Sequence, residues 1–134
     1  MFVHPLCPCS KASVAELARL LETSNGRCAA TIYFVVPNGS EVSPRDSEPW
    51  QQVALLANTT LTIDRDGNAA KWGANASGQT FVFDRHHTLR FKGGLTRARG
   101  KTGPTNASRA ILDLIDGDTS QTLIESPVFG CSLH

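Results

Sequence analysis

Phe2-Val3-His4-Pro5-Leu6-Cys7-Pro8-Cys9-Ser10 opens the chain, and its reading decides the fold. Phe2-Val3-His4 is strand-like, and Pro5 ends the strand because it cannot donate to a ladder. From Ser10 to Thr23 the apolar residues Val14, Leu17, Ala18 and Leu21 recur at helical spacing, which predicts an amphipathic helix. Ser13 and Glu16 have the spacing of a capping box, and Asn25-Gly26 supplies the stop. The next segment, Cys28 to Val36, is a near-continuous run of β-branched, aromatic and small apolar residues. That composition suits a strand buried on both faces of a parallel sheet. A strand, a helix and a second apolar strand make a right-handed β-α-β unit.

The same reading extends along the chain. Trp50 to Asn58 reads as a second helix, and Leu61 to Ile63 as a short strand. Asn68 to Trp72 reads as a helical turn after Asp64-Arg65-Asp66-Gly67. Thr80 to Phe83 and Leu89 to Phe91 form a β-hairpin around Asp84-Arg85-His86-His87. Asn106 to Asp116 is the last helix, capped by Thr105 or Asn106 and stopped by Gly117. Residues 118–134 show no period and read as an irregular tail on a single domain spanning 1–134. The fold class is therefore α/β: a central mixed sheet flanked by helices, closed by a C-terminal hairpin and helix.

With 134 residues the chain can build one core. A net charge of +1 gives no electrostatic case for a nucleic-acid partner. No apolar run approaches the ~18 residues needed to cross a bilayer. The strand-like Phe2-Val3 at the very start leads us to expect an upstream signal or anchor, and membrane association only through it.

Four cysteines occur: Cys7, Cys9, Cys28 and Cys131. Four cysteines allow three pairings, but this is too few for a disulfide scaffold in a domain of this size. Cys7 and Cys9 close almost no loop, so their pairing adds little stability, and the chemistry of the pair comes first. They stand at the start of a helix, where free N–H groups and the positive dipole end favour a thiolate. Cys7, the outer thiol, is the candidate nucleophile, and Cys9 its resolving partner or an N-cap thiolate. Cys131 is expected to fold back and pair with Cys7 or Cys9, or to stay apart as a lone tail cysteine. Cys28 reads as a small core residue. His4 is a candidate for thiolate support or metal ligation. His134 has ligand spacing to Cys131, and Arg97, Arg99 and Lys101 form a basic, solvated loop. Asp64-Arg65-Asp66-Gly67 resembles a fragment of a calcium loop, but the twelfth position is Asn75 rather than glutamate, which excludes that reading.

The residues 2–10, Asp64-Arg65-Asp66-Gly67-Asn68-Ala69-Ala70-Lys71-Trp72-Gly73 and the hairpin ending Phe91-Lys92-Gly93-Gly94 together resemble the thioredoxin-like superfamily, in its TlpA-like and peroxiredoxin-like branch. His4-Pro5-Leu6-Cys7-Pro8-Cys9-Ser10, Phe91 to Gly100 and Val128-Phe129-Gly130-Cys131 are most similar to RedB-like bacterial proteins. The resemblance implies a thioredoxin-like fold in an extracytoplasmic, periplasmic domain. It implies a thiol–disulfide oxidoreductase activity at Cys7, Cys9 and Cys131, without a cofactor or resident metal. The partner would be a thiol- or disulfide-bearing protein or a small thiol, met by a monomer through contacts at Pro8, Gly78, Gln79 and Thr80. Two departures stand out. The spacing is Cys-x-Cys, and the segment that carries the superfamily's cis-proline reads Ser77-Gly78-Gln79-Thr80. A cis bond at a non-proline costs ~2.5–4 kcal/mol, so a trans bond is expected there. A strained Cys7–Cys9 ring would favour oxidising other thiols. The alternatives are a soft-metal protein holding Cu(I) at the same thiols and a non-catalytic interaction domain.

Overall fold

The computed structural model describes residues 1–118 and 123–134; the part of the aperiodic tail at 119–122 lies outside the described residues. The element order is β1 (Phe2–Val3), α1 (Pro8–Ser24), β2 (Ala30–Phe34), a 3-10 turn (Pro44–Asp46), α2 (Glu48–Ala54) and β3 (Thr59–Ile63). It continues through α3 (Asn68–Lys71), β4 (Thr80–Phe83), β5 (Leu89–Gly93), α4 (Asn106–Ile115) and β6 (Ile124–Glu125). The α/β class is as read from the sequence. The single central sheet is not: the strands form two three-stranded ladders, β1-β2-β3 and β4-β5-β6. The first is parallel throughout, with Phe2 beside Tyr33 and Ala30 beside Thr59. The second joins the antiparallel hairpin to a parallel β6 taken from the tail.

One bridge links the two ladders. Phe2 donates its N–H to the Gln79 carbonyl at 2.8 Å, and Gly78 returns an N–H to the Phe2 carbonyl at 2.8 Å. Beyond Met1 the strands β2 and β4 separate around a cleft of about 270 Å³, lined by Met1, Thr31, Tyr33, Phe81 and Phe83 among others. β1 is too short to span that edge, and this is why the continuous sheet expected from the strand pattern is divided.

Side chains alternate across a strand, so Val3 and Phe2 enter different cores. On one face Val3, Ile32, Phe34 and Phe91 meet Val14, Leu17 and Leu21 of α1, Val53 of α2 and Ile111 of α4. On the other face Phe2 and Val35 meet Ala69 of α3, Ala74 and Leu133 of the tail. Phe2 is fully buried, with its ring 4.8 Å from Tyr33, 5.7 Å from Trp72 and 6.0 Å from Phe81.

Several boundaries move for local reasons. α1 begins at Pro8, not Ser10, because proline at the first helical position needs no N–H. Ser13 and Glu16 are therefore helix interior rather than a capping box. Glu16 is buried, and its carboxylate accepts from Gly103 N–H at 2.6 Å, pinning the basic loop to α1. α2 begins at Glu48 because Ser47 caps it, accepting from Trp50 N–H. α4 starts as expected, with a capping box between Thr105 and Ser108. Asp64 accepts from the N–H groups of Asn68 and Ala69, both at 2.8 Å, so the Asp-x-Asp-Gly stretch seats α3.

Candidate functional site

Cys7 is the residue that caps α1, in extended conformation with φ −78°. Its N–H donates to the His4 carbonyl at 3.2 Å, and its own carbonyl accepts from Ser10 N–H at 2.9 Å. This tight turn follows from Pro5 and Pro8, which fix the chain on either side of Leu6-Cys7. The turn is held from beneath by two serines. Ser10 Oγ donates to the His4 carbonyl at 2.7 Å and lies 2.6 Å from Ser77 Oγ, which also accepts from His4 N–H at 2.9 Å. A hydroxyl has one proton, so Ser77 donates to Ser10. Both serines are buried, and neither signals itself in a sequence pattern.

The disulfide joins Cys7 to Cys131, with a Cα–Cα separation of 6.0 Å, inside the range that a disulfide spans without backbone movement. Cys9 is a free, buried thiol. The expected Cys7–Cys9 bond is thus replaced by one of the pairings open to Cys131. The reason is the tail, which returns across the molecule antiparallel to residues 74–77. Ser77 N–H donates to the Cys131 carbonyl at 2.8 Å, and Leu133 N–H to the Asn75 carbonyl at 3.0 Å. Ala76 and Ser132 form a bridge, and Leu133 is buried in the second core. Cys131 N–H points at Cys7 Sγ, 3.4 Å away. The Sγ atoms of Cys7, Cys9 and Cys131 all lie within 4.8 Å of one another.

Gly130 is what lets the tail approach. A β-carbon there would run into the backbone of Ser77, with no flexible side chain to give way. Gly130→Ala should therefore lower stability by about 1–3 kcal/mol and loosen the hold on Cys131. Thermal unfolding of the oxidised and reduced forms checks this, and an unchanged Tm in both would mean that the tail is not seated there. Arg99 donates to the Gly130 carbonyl at 3.3 Å, so one residue of the basic loop steadies the tail while its side chain stays exposed.

The remaining candidates fall elsewhere. His4 is half-buried, and desolvation pushes its pKa below the usual histidine value. Its Nδ1 accepts from Leu6 N–H at 3.1 Å, which requires that nitrogen to be unprotonated. A cationic His4 supporting a thiolate does not fit that arrangement. His134 is placed rather than loose: its Nε2 lies 2.9 Å from the Ala74 carbonyl. Cys28 precedes β2 and is packed at the edge of the core, where burial pushes its thiol pKa up. Among the expected substrate contacts, Pro8 is exposed beside the disulfide. Gly78 and Gln79 have their backbone committed to Phe2, and buried Thr80 donates its hydroxyl to the Gly78 carbonyl at 3.0 Å. The described residues hold no cis peptide, so the Gly78–Gln79 bond is trans as expected.

No family model matches the chain, and no curated protein matches it. Its fold is similar to a solved structure described as the crystal structure of an uncharacterized conserved protein from Geobacillus kaustophilus. The TM-score is 0.72 at 23% identity, covering 99% of this chain and 74% of that chain.

Proposed function

We propose that this chain is a thioredoxin-like thiol–disulfide exchange domain, with Cys7 and Cys131 as its redox couple and Cys9 as a third thiol. The observation that carries the reading is the convergence of three cysteines at the start of α1, one of them brought from 124 residues away in sequence. The parallel β1-α1-β2 unit, with its cysteine turn between strand and helix and an antiparallel hairpin beyond, supports the thioredoxin-like assignment.

Exposure sets the order of events. Cys7 is 3% exposed, whereas Cys131 is half-buried and on the tail side of the bond. An incoming thiolate attacks Sγ of Cys131, forming a mixed disulfide and expelling Cys7 as the thiolate. Cys7 leaves at the N-terminus of a 17-residue helix, where the dipole favours negative charge. A second substrate thiol then attacks the mixed disulfide, releasing Cys131 reduced and the substrate oxidised. Run in reverse, Cys131 thiolate attacks a substrate disulfide and Cys7 thiolate then resolves the mixed disulfide. The partner is a thiol- or disulfide-bearing protein or a small thiol. A couple of this kind suits an oxidising, extracytoplasmic compartment.

Equilibration in glutathione buffers of graded ratio, followed by acid quench and thiol labelling, tests the reading. The expected outcome is one two-electron transition confined to Cys7 and Cys131. If that disulfide stays closed across the whole range and never forms a glutathione adduct, it is a structural tie and the exchange reading falls.

A further inference from the structure

We propose that the reduced protein binds one Cu(I) ion in a three-thiolate site formed by Cys7, Cys9 and Cys131. The inference concerns the same three side chains as the exchange reading but does not depend on it. It asks only that the disulfide can be opened. A dithiol reductant supplies the two electrons: it leaves as its cyclic disulfide, and Cys7 and Cys131 become thiols. Cu(I) then displaces three thiol protons, with no change in its own oxidation state.

Geometry is the first argument. Metal–thiolate bonds are ~2.3 Å, so three sulfurs in a plane around one ion stand ~4.0 Å apart. The three Sγ atoms already lie within 4.8 Å of one another. Cys9 is close to ligand position as it stands. Only Cys7 and Cys131 must part, and the half-buried Cys131 side chain has solvent on one side into which to turn.

Persistence is the second. The cluster does not rely on the disulfide to stay assembled. Cys131 is held by the Ser77 N–H at its own carbonyl, by Arg99 at Gly130 and by the buried Leu133 two residues on. Cys7 and Cys9 are held by the first turn of α1 and the Ser10–Ser77 pair beneath it. The third ligand therefore remains beside the other two after reduction.

The donor set selects the ion. Among the described residues no histidine, aspartate or glutamate joins the three cysteines. His4 Nδ1 is occupied by Leu6 N–H, and His134 Nε2 by the Ala74 carbonyl. Zn(II) in a closed site takes four protein ligands and lacks the fourth here. Ca(II) and Mg(II) need oxygen ligands. Soft thiolates favour Cu(I), which is satisfied by two or three of them. Three thiolates and Cu(I) carry a net charge of −2, and they sit at the positive end of α1. Cys7 and Cys9, at 3% and 8% exposure, shield one side of the ion from solvent.

The test is anaerobic titration of the pre-reduced protein with a Cu(I)–acetonitrile complex, against a chromogenic Cu(I) chelator, with X-ray absorption on the product. One Cu(I) per chain with three sulfur neighbours is expected. Cys9→Ser should leave two sulfurs and weaken binding by at least about tenfold, whereas Cys28→Ser should match the parent. Circular dichroism of each variant establishes that it is folded. No stoichiometric binding, or a two-sulfur site that Cys9→Ser leaves unchanged, overturns the proposal. Glutathione exchange is read separately on metal-free protein, so loss of one property leaves the other standing or falling by its own measurement.

Discussion

Cys7→Ser should stall exchange with glutathione disulfide at a mixed disulfide on Cys131, while Cys28→Ser should leave exchange unchanged. Both positions carry cysteine and receive the same substitution, so the contrast rests on position alone. Cys7 caps α1 and is bonded to Cys131. Cys28 lies at the edge of the core before β2, where burial pushes its pKa up and keeps it a thiol at neutral pH. The thiolate is the form that attacks, so Cys28 contributes little even when it is reached. Stopped-flow kinetics with mass mapping of the mixed disulfide makes the comparison. Equal losses from both substitutions would put the reacting centre elsewhere. Retention of more than a tenth of the parent turnover in Cys7→Ser would make Cys9 the thiol that resolves the mixed disulfide.

Phe2→Ala should have the largest effect on stability, about 3–5 kcal/mol, with no change in the order of the elements. Phe2 is fully buried and stacked on Tyr33, and it meets Trp72 and Phe81 edge-on. Its backbone carries both hydrogen bonds that join the two ladders. Those bonds survive truncation of the side chain, but the aromatic cluster on that face loses its centre. Urea unfolding measures the cost, and a loss below about 1 kcal/mol would mean that the cluster closes over the cavity. The second core also seats Leu133. The same substitution should therefore make the tail easier to displace, and a faster reduction of Cys7–Cys131 in Phe2→Ala would report it.

Local patterns in the chain are legible where short-range physics decides them. The hairpin strand Thr80–Phe83 and the Thr105 cap of α4 appear where alternation and capping chemistry put them. Of the four residues read as the apolar face of α1, Val14, Leu17 and Leu21 are buried and Ala18 is half-buried. Element starts are less legible. Pro8 and Ser47 carried the signals for α1 and α2, but apolar periodicity begins later than the helix does. β2 is shorter than the apolar run that contains it, and Thr31, its second residue, is exposed.

The site divides in the same way. Cys7 and Cys9 are marked by their spacing and by the helix that follows. Cys131 is marked only as a cysteine in a tail without period, and its partner had two candidates. The choice is made by contacts that no local pattern encodes: the Ser77 and Asn75 backbone, the missing β-carbon of Gly130 and the seat of Leu133. Ser10 and Ser77 are silent in the sequence for the same reason, since they meet across 67 residues.

The bond between Cys7 and Cys131 has a topological consequence. It turns residues 7–131 into a covalent ring that encloses every helix and all but the first strand. A single cut anywhere inside that ring cannot separate the pieces, because each stays tethered through sulfur. A nicked molecule therefore remains one particle while oxidised and becomes two polypeptides once reduced. The redox state of two side chains decides whether a cut chain is still one covalent molecule.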